Sequence, residues 1–141
     1  MSIPSDATTI YARALTRRFG AHTAVRNVDL ELRRGEVLGF LGPNGAGKTT
    51  TMQMLTGNLA PTEGEITICG VDLLARPTLA KGKIGYLPEN PPLYRDLTVD
   101  EYLNLALKLH RVPKVRRRNA LTGAKDRCGL TSVGRKLIGT L

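Results

Sequence analysis

Aromatic residues are scarce in this sequence. Tryptophan is absent, and four tyrosines and two phenylalanines make up 4% of the 141 residues. A surface that reads nucleic acid needs a recognisable reading element or aromatics interleaved with its basic residues. Neither accompanies the cluster of Lys114, Arg116, Arg117 and Arg118, so no nucleic-acid partner is expected. Cysteine and histidine are rarer still. Cys69, Cys128, His22 and His110 are isolated from one another. That spacing fits no zinc site, and ordinary reduced thiols are expected. Acidic residues are outnumbered, 12 against 21 Lys plus Arg, for a net charge of +9. The surplus would suit an anionic surface, although a solvated basic face explains it as well. No apolar run approaches the length of a membrane span. The opening MSIPSDATT has neither the basic start nor the apolar core of a secretory signal. The expectation is a soluble chain in the cytoplasm, meeting a membrane only through a partner.

What the chain does have is a 41% hydrophobic share, enough for a packed core in one domain-sized length. Residues 10–15 read as a short strand. Val28, Leu30 and Leu32 alternate with Asp29 and Glu31, the period of a strand buried on one face. Residues 37–41, VLGFL, form an apolar run suited to a strand buried on both faces of a parallel sheet. A helix is expected from Lys48 to Leu55, then strands at 65–68 and 84–87. Residues 88–96 hold three prolines and read as a loop. Thr98-Val99-Asp100-Glu101 is a capping box, followed by apolar residues at helical spacing. A further helix is expected from about Pro113 to Cys128, and residues 129–141 are left unassigned. The organisation is thus a flexible tail at 1–9, a strand-rich α/β core at 10–95 and a helical subdomain at 96–141.

The chemistry concentrates at residues 42–49, GPNGAGKT, which fit G-x-x-x-x-G-K-[ST] at every fixed position. Glycines let the backbone turn so that successive amides point inward and form an anion nest. The helix that follows adds the positive end of its dipole. Gly42, Pro43, Asn44, Gly45, Ala46, Gly47, Lys48, Thr49 and Thr50 are therefore the candidate phosphate-binding residues. Lys48 would reach the β- and γ-phosphates, and the Thr49 hydroxyl would ligate Mg²⁺. No G-x-G-x-x-G spacing supports a dinucleotide fold instead.

The stretch LTRRFGAHTAVRNVDLELRRGEVLGFLGPNGAGKTTT at 15–51 resembles the start of an ABC transporter ATP-binding subunit. The resemblance continues through MLTGNLAPTEGEITICG at 54–70 and IGYLPENPPLYRDLTVDEYL at 84–103. It is nearest to subunits that serve exporter-type permeases. The resemblance implies a phosphate-loop NTPase fold, ATP and Mg²⁺ as ligands, and a membrane permease as partner. It also implies a head-to-tail dimer with a second ATP-binding subunit and a place at the inner face of the membrane. In this family an aromatic after the first strand stacks on adenine, and Phe19 holds that position. A loop Gln contacts Mg²⁺ and the attacking water; here that position is Glu89, a carboxylate that can ligate a hard cation but cannot donate as an amide does. The segment around Glu89 and the helices after it would face the permease.

The family pattern also includes a Ser-Gly-Gly-Gln-like signature, an apolar strand ending in Asp, a catalytic Glu and a switch His. None has a counterpart here: the Asp-Glu of Asp100-Glu101 belongs to the capping box, and His22 lies too early. The expectation is the N-terminal part of an ABC ATPase that does not hydrolyse ATP alone. Without the family's second half, residues 37–41 would be an open apolar edge. Two other readings remain. One is a non-catalytic ATP-binding or regulatory module; the other is a different phosphate-loop enzyme, such as a small kinase using the arginines of 116–118.

Overall fold

The computed structural model describes residues 7–141. They form two compact units, one ending at Tyr86 and the other running from Leu87 to Leu141. Of the expected tail, residues 1–6 lie outside the described residues, and Thr8 and Thr9 belong to the first strand.

The first unit is built on an antiparallel sheet. Strand β1 (Thr8–Phe19) and strand β2 (His22–Arg33) form a long hairpin, β3 (Glu63–Ile68) pairs with the other edge of β1, and β4 (Val71–Asp72) pairs with β3. The order β2-β1-β3-β4 makes β1 central. The sheet segments at 10–15, 28–32 and 65–68 are present and longer than their apolar residues alone suggest. Polar residues such as Thr8, Arg13 and Arg18 ride along because each has a ladder partner in a neighbouring strand. Helix α1 (Lys48–Leu55) buries Thr51, Met54 and Leu55 against this sheet. Leu15, Met54, Ile66, Ile68 and Leu73 lie at the centre of the core, each at most 2% exposed. Burying each stabilises the fold by roughly 1.5–3 kcal/mol before the entropy of ordering is subtracted. A short helix α2 (Pro77–Lys81) begins at a proline, whose missing N–H is no loss there, and inserts Ala80 into the core.

Two expected strands are not strands. Residues 37–41 and 84–87 have no regular secondary structure and join no ladder among the described residues. Val37 and Leu41 are 97% and 94% exposed, the reverse of a doubly buried strand. An apolar run becomes a strand only when a neighbour takes its N–H and C=O groups. The described sheet instead closes its ladders through β1, β2, β3 and β4. Alternation survives without the ladder: Leu38 and Phe40 turn toward an apolar cavity of about 220 Å³, which Ile10, Leu32, Met52 and Ile84 also line. The phosphate-loop segment is thus entered from an irregular, largely exposed run, not from a buried parallel strand.

The second unit is helical. Helix α3 (Val99–Leu109) starts at the expected capping box: the Thr98 hydroxyl accepts from the Glu101 N–H, and the Thr98 N–H donates to Glu101 Oε2 at 2.8 Å. These bonds hold the Glu101 carboxyl below its ordinary pKa, the Thr98 backbone bond contributing most and the Thr98 side chain next. Helix α4 (Lys114–Arg127) packs on α3 and buries no residue fully. The Lys125 ammonium meets Asp100 Oδ1 at 2.7 Å. Residues 129–141, unassigned from sequence, fold back along the start of α3. Val99 N–H donates to Lys136 O, Asp100 N–H to Gly134 O, and Ile138 N–H to Leu97 O. These long-range bonds have no local sequence signature.

Candidate functional site

The loop at 42–47 leads directly into α1. Gly47 caps the helix in the left-handed region, with φ 81°, and Gly45 has φ 82°. These two turns are open to glycine and strained for other residues. Gly47 has a second reason to lack a side chain: a Cβ there would lie 2.5 Å from the Ala24 carbonyl oxygen and 2.9 Å from Val25 Cγ2. The loop therefore rests directly on β2.

The hairpin is shaped for that contact. Arg17 pairs with Val25 but Arg18 pairs with Thr23, so Ala24 is an extra residue on β2, a bulge. Bulges bend the strand and redirect its groups, and they recur beside functional sites. Here the bulge presents the Ala24 carbonyl to the loop.

Lys48 folds back across the loop. Its Nζ donates to Gly42 O and Pro43 O, each at 2.6 Å. An ammonium has three donors, so a third remains for an anion at the loop mouth. No side chain caps α1, and its first turn carries no acidic residue, which leaves the positive end of the helix uncompensated by a carboxylate. Thr49 is exposed at the second helical position and Thr50 is half-buried at the third. The Thr51 hydroxyl donates to Gly47 O at 2.9 Å and is buried, which ties the first turn to the loop. Glycines in left-handed turns, an ammonium fixed by carbonyls and an uncapped helix start together suit the oxygens of a phosphate chain.

The other candidate residues are distributed as follows. Phe19 ends β1 beside the hairpin turn, 47% exposed, with the Arg17 guanidinium over its ring at 4.6 Å from the centroid. It shares the first unit with the loop. Glu89 is exposed in the irregular segment that opens the second unit. Arg17, Ala24 and Val25 were not singled out from sequence. Only Arg17 had a legible signal, its i, i+2 spacing from Phe19 on one face of a strand. Among the described residues no group of three or more His, Cys, Asp or Glu could hold a metal ion, and Cys69 and Cys128 are free and exposed. No helix among them is long and apolar enough to cross a membrane.

A family profile described as ABC transporter matches residues 25–138. An uncharacterized ABC transporter ATP-binding protein of Rhizobium meliloti (strain 1021) is 41% identical over 104 residues, covering 72% of this chain and 38% of that protein. The Nod factor export ATP-binding protein I of Cupriavidus pinatubonensis is 34% identical over 105 residues, covering 74% and 32%. Among solved structures, an ATP binding subunit of an ABC transporter superposes with a TM-score of 0.81 at 28% identity, covering 92% of this chain and 54% of that one. The chain thus spans well under half the length of these curated relatives, and their folded core is of the phosphate-loop NTPase type.

Proposed function

This chain belongs to the ABC transporter ATP-binding family, and from that premise we propose that it binds MgATP through residues 42–50. The observation that carries the reading is the Lys48 ammonium fixed on the Gly42 and Pro43 carbonyls, in a loop with two left-handed glycines that runs into an uncapped helix start. In the bound state Gly42, Pro43, Asn44, Gly45, Ala46, Gly47, Lys48, Thr49 and Thr50 hold the phosphates, the Thr49 hydroxyl would ligate Mg²⁺, and Phe19 receives the adenine. When bound, Mg²⁺ neutralises phosphate charge. The chain's own part is to cradle, orient and partly dehydrate the nucleotide.

In its cellular setting the bound nucleotide powers export through a membrane permease, with the chain at the inner face of the membrane. The word "export" in the name of the Cupriavidus relative supports this direction. Pairing head to tail with another ATP-binding subunit goes with the same reading. The 141 residues contain no Ser-Gly-Gly-Gln-like segment, so the chain by itself binds nucleotide without turning it over.

Calorimetric titration tests the reading. MgATP should give saturable heat, and Lys48→Ala should weaken binding by about 10- to 100-fold, the loss of one charge-assisted hydrogen-bonding group. No saturable heat from a folded sample would reject it. ATP turnover by the wild-type chain, lost in Lys48→Ala, would reject the claim that it only binds.

A further inference from the structure

The face of β1 that carries Phe19 also carries Arg17, two residues earlier. The Arg17 guanidinium carbon lies 4.6 Å from the centre of the Phe19 ring. Its Nη1 donates to the Ala60 carbonyl at 2.8 Å, in the segment between α1 and β3. Its Nε is buried and has no partner. A long side chain held at its tip by a carbonyl 43 residues away in sequence is not a loose surface charge. It stays over the ring even though one of its donors is left unsatisfied. One face of Phe19 is thereby covered, while the residue as a whole stays 47% exposed.

We propose that Arg17 is a positioning residue for nucleotide binding, acting through Phe19. The inference rests on the reading of Phe19 as the adenine platform. Two physical effects operate together. Packing of the guanidinium and its bond to Ala60 restrict the ring to one orientation, so less rotamer freedom is lost when a base stacks on it. The cation also sits on the electron-rich face of the ring, against its quadrupole. That draws electron density toward Arg17 and softens the repulsion between the opposite face and the π-face of adenine.

The geometry links this pair to the phosphate end of the site. Arg17 is the ladder partner of Val25, whose Cγ2 is, after the Ala24 carbonyl oxygen, the next atom that a Cβ on Gly47 would meet. Neighbouring strands lie about 4.8 Å apart, so the backing residue stands one strand away from the phosphate loop. Base platform and phosphate cradle are thus held in register by the same bulged piece of hairpin.

The test compares binding of MgATP with binding of magnesium tripolyphosphate, which has the phosphates and no base. Five forms of the 141-residue chain are titrated: wild type, Arg17→Met, Arg17→Lys, Phe19→Ala and the Arg17→Met, Phe19→Ala double variant. Arg17→Met should weaken MgATP about three- to tenfold and leave tripolyphosphate unchanged. Phe19→Ala should weaken MgATP at least as much, and adding Arg17→Met to it should cause no further loss. Arg17→Lys keeps the charge without the planar fork, and should recover only part of the affinity. If Phe19→Ala weakens MgATP and Arg17→Met does not, the inference is overturned while the platform reading stands. If Phe19→Ala leaves MgATP unchanged, the platform reading fails and the inference with it. Equal weakening of both ligands by Arg17→Met would make Arg17 merely structural. Circular dichroism checks folding, and if Arg17→Met does not fold, Arg17→Lys and Arg17→Gln decide the same comparison.

Discussion

Gly45 and Gly47 offer a matched pair for measuring what a close backbone approach is worth. Their φ angles are 82° and 81°, so alanine at either position meets the same backbone strain. That strain amounts to about 1–2 kcal/mol for an L-residue in the left-handed region. Their surroundings differ. Around Gly45 nothing lies within 4 Å of an added Cβ, whereas at Gly47 the Ala24 carbonyl oxygen would be 2.5 Å away and Val25 Cγ2 2.9 Å away. The first of these contacts is with backbone, which cannot swing aside as a side-chain tip can. Either the start of α1 or the bulge of β2 must move, and displacements of this kind carry about 1–3 kcal/mol of strain. Gly45→Ala should therefore destabilise by about 1–2 kcal/mol and Gly47→Ala by about 2–5 kcal/mol, a large share of a typical total of about 5–15 kcal/mol. Urea unfolding followed by far-ultraviolet circular dichroism reads the difference. With a slope of about 1–3 kcal/mol per molar urea, Gly47→Ala should unfold about 1 M earlier than Gly45→Ala. Coincident midpoints would refute the claim that the loop rests on β2.

Other outcomes follow from the same structure. Leu41 is 94% exposed on an apolar run, so Leu41→Lys should lower self-association, read by sedimentation velocity. Stability should change by less than about 0.5 kcal/mol; unchanged association would refute the expectation that this exposed run promotes it. The Glu101 carboxyl is held below its ordinary pKa by Thr98. Its contribution is therefore full above the unfolded value, about 4.3, and fades as pH falls through the lower folded value. The stability advantage of wild type over Glu101→Ala, followed by urea midpoints, should persist at neutral pH and shrink on acidification below that range. An advantage that grows on acidification would contradict the capping geometry.

Legibility from sequence tracked the range of the interactions. The capping box of α3 needs only Thr98 and Glu101, three residues apart, and it forms as read. The expected helix at Lys48–Leu55 is also present, because a helix satisfies its own backbone groups. Strands followed the opposite rule. The run at 37–41 has stronger apolar character than much of β1, yet β1 is the central strand and 37–41 pairs with nothing described. The composition of a strand states which faces it could bury, and not which neighbour will take its hydrogen bonds.

By itself, then, the sequence determined the phosphate loop, the helix behind it and the family to which the chain belongs. All three depend on residues contiguous in the chain or on a pattern shared with relatives. Only the tertiary structure decided what surrounds the loop: the bulge at Ala24 against Gly47, the Lys48 ammonium held on the carbonyls of Gly42 and Pro43, and Arg17 held by Ala60 over Phe19. The first and last of these join segments more than 20 residues apart. Such contacts form only after non-local pairing has met its loop-closure entropy, so no local pattern could announce them.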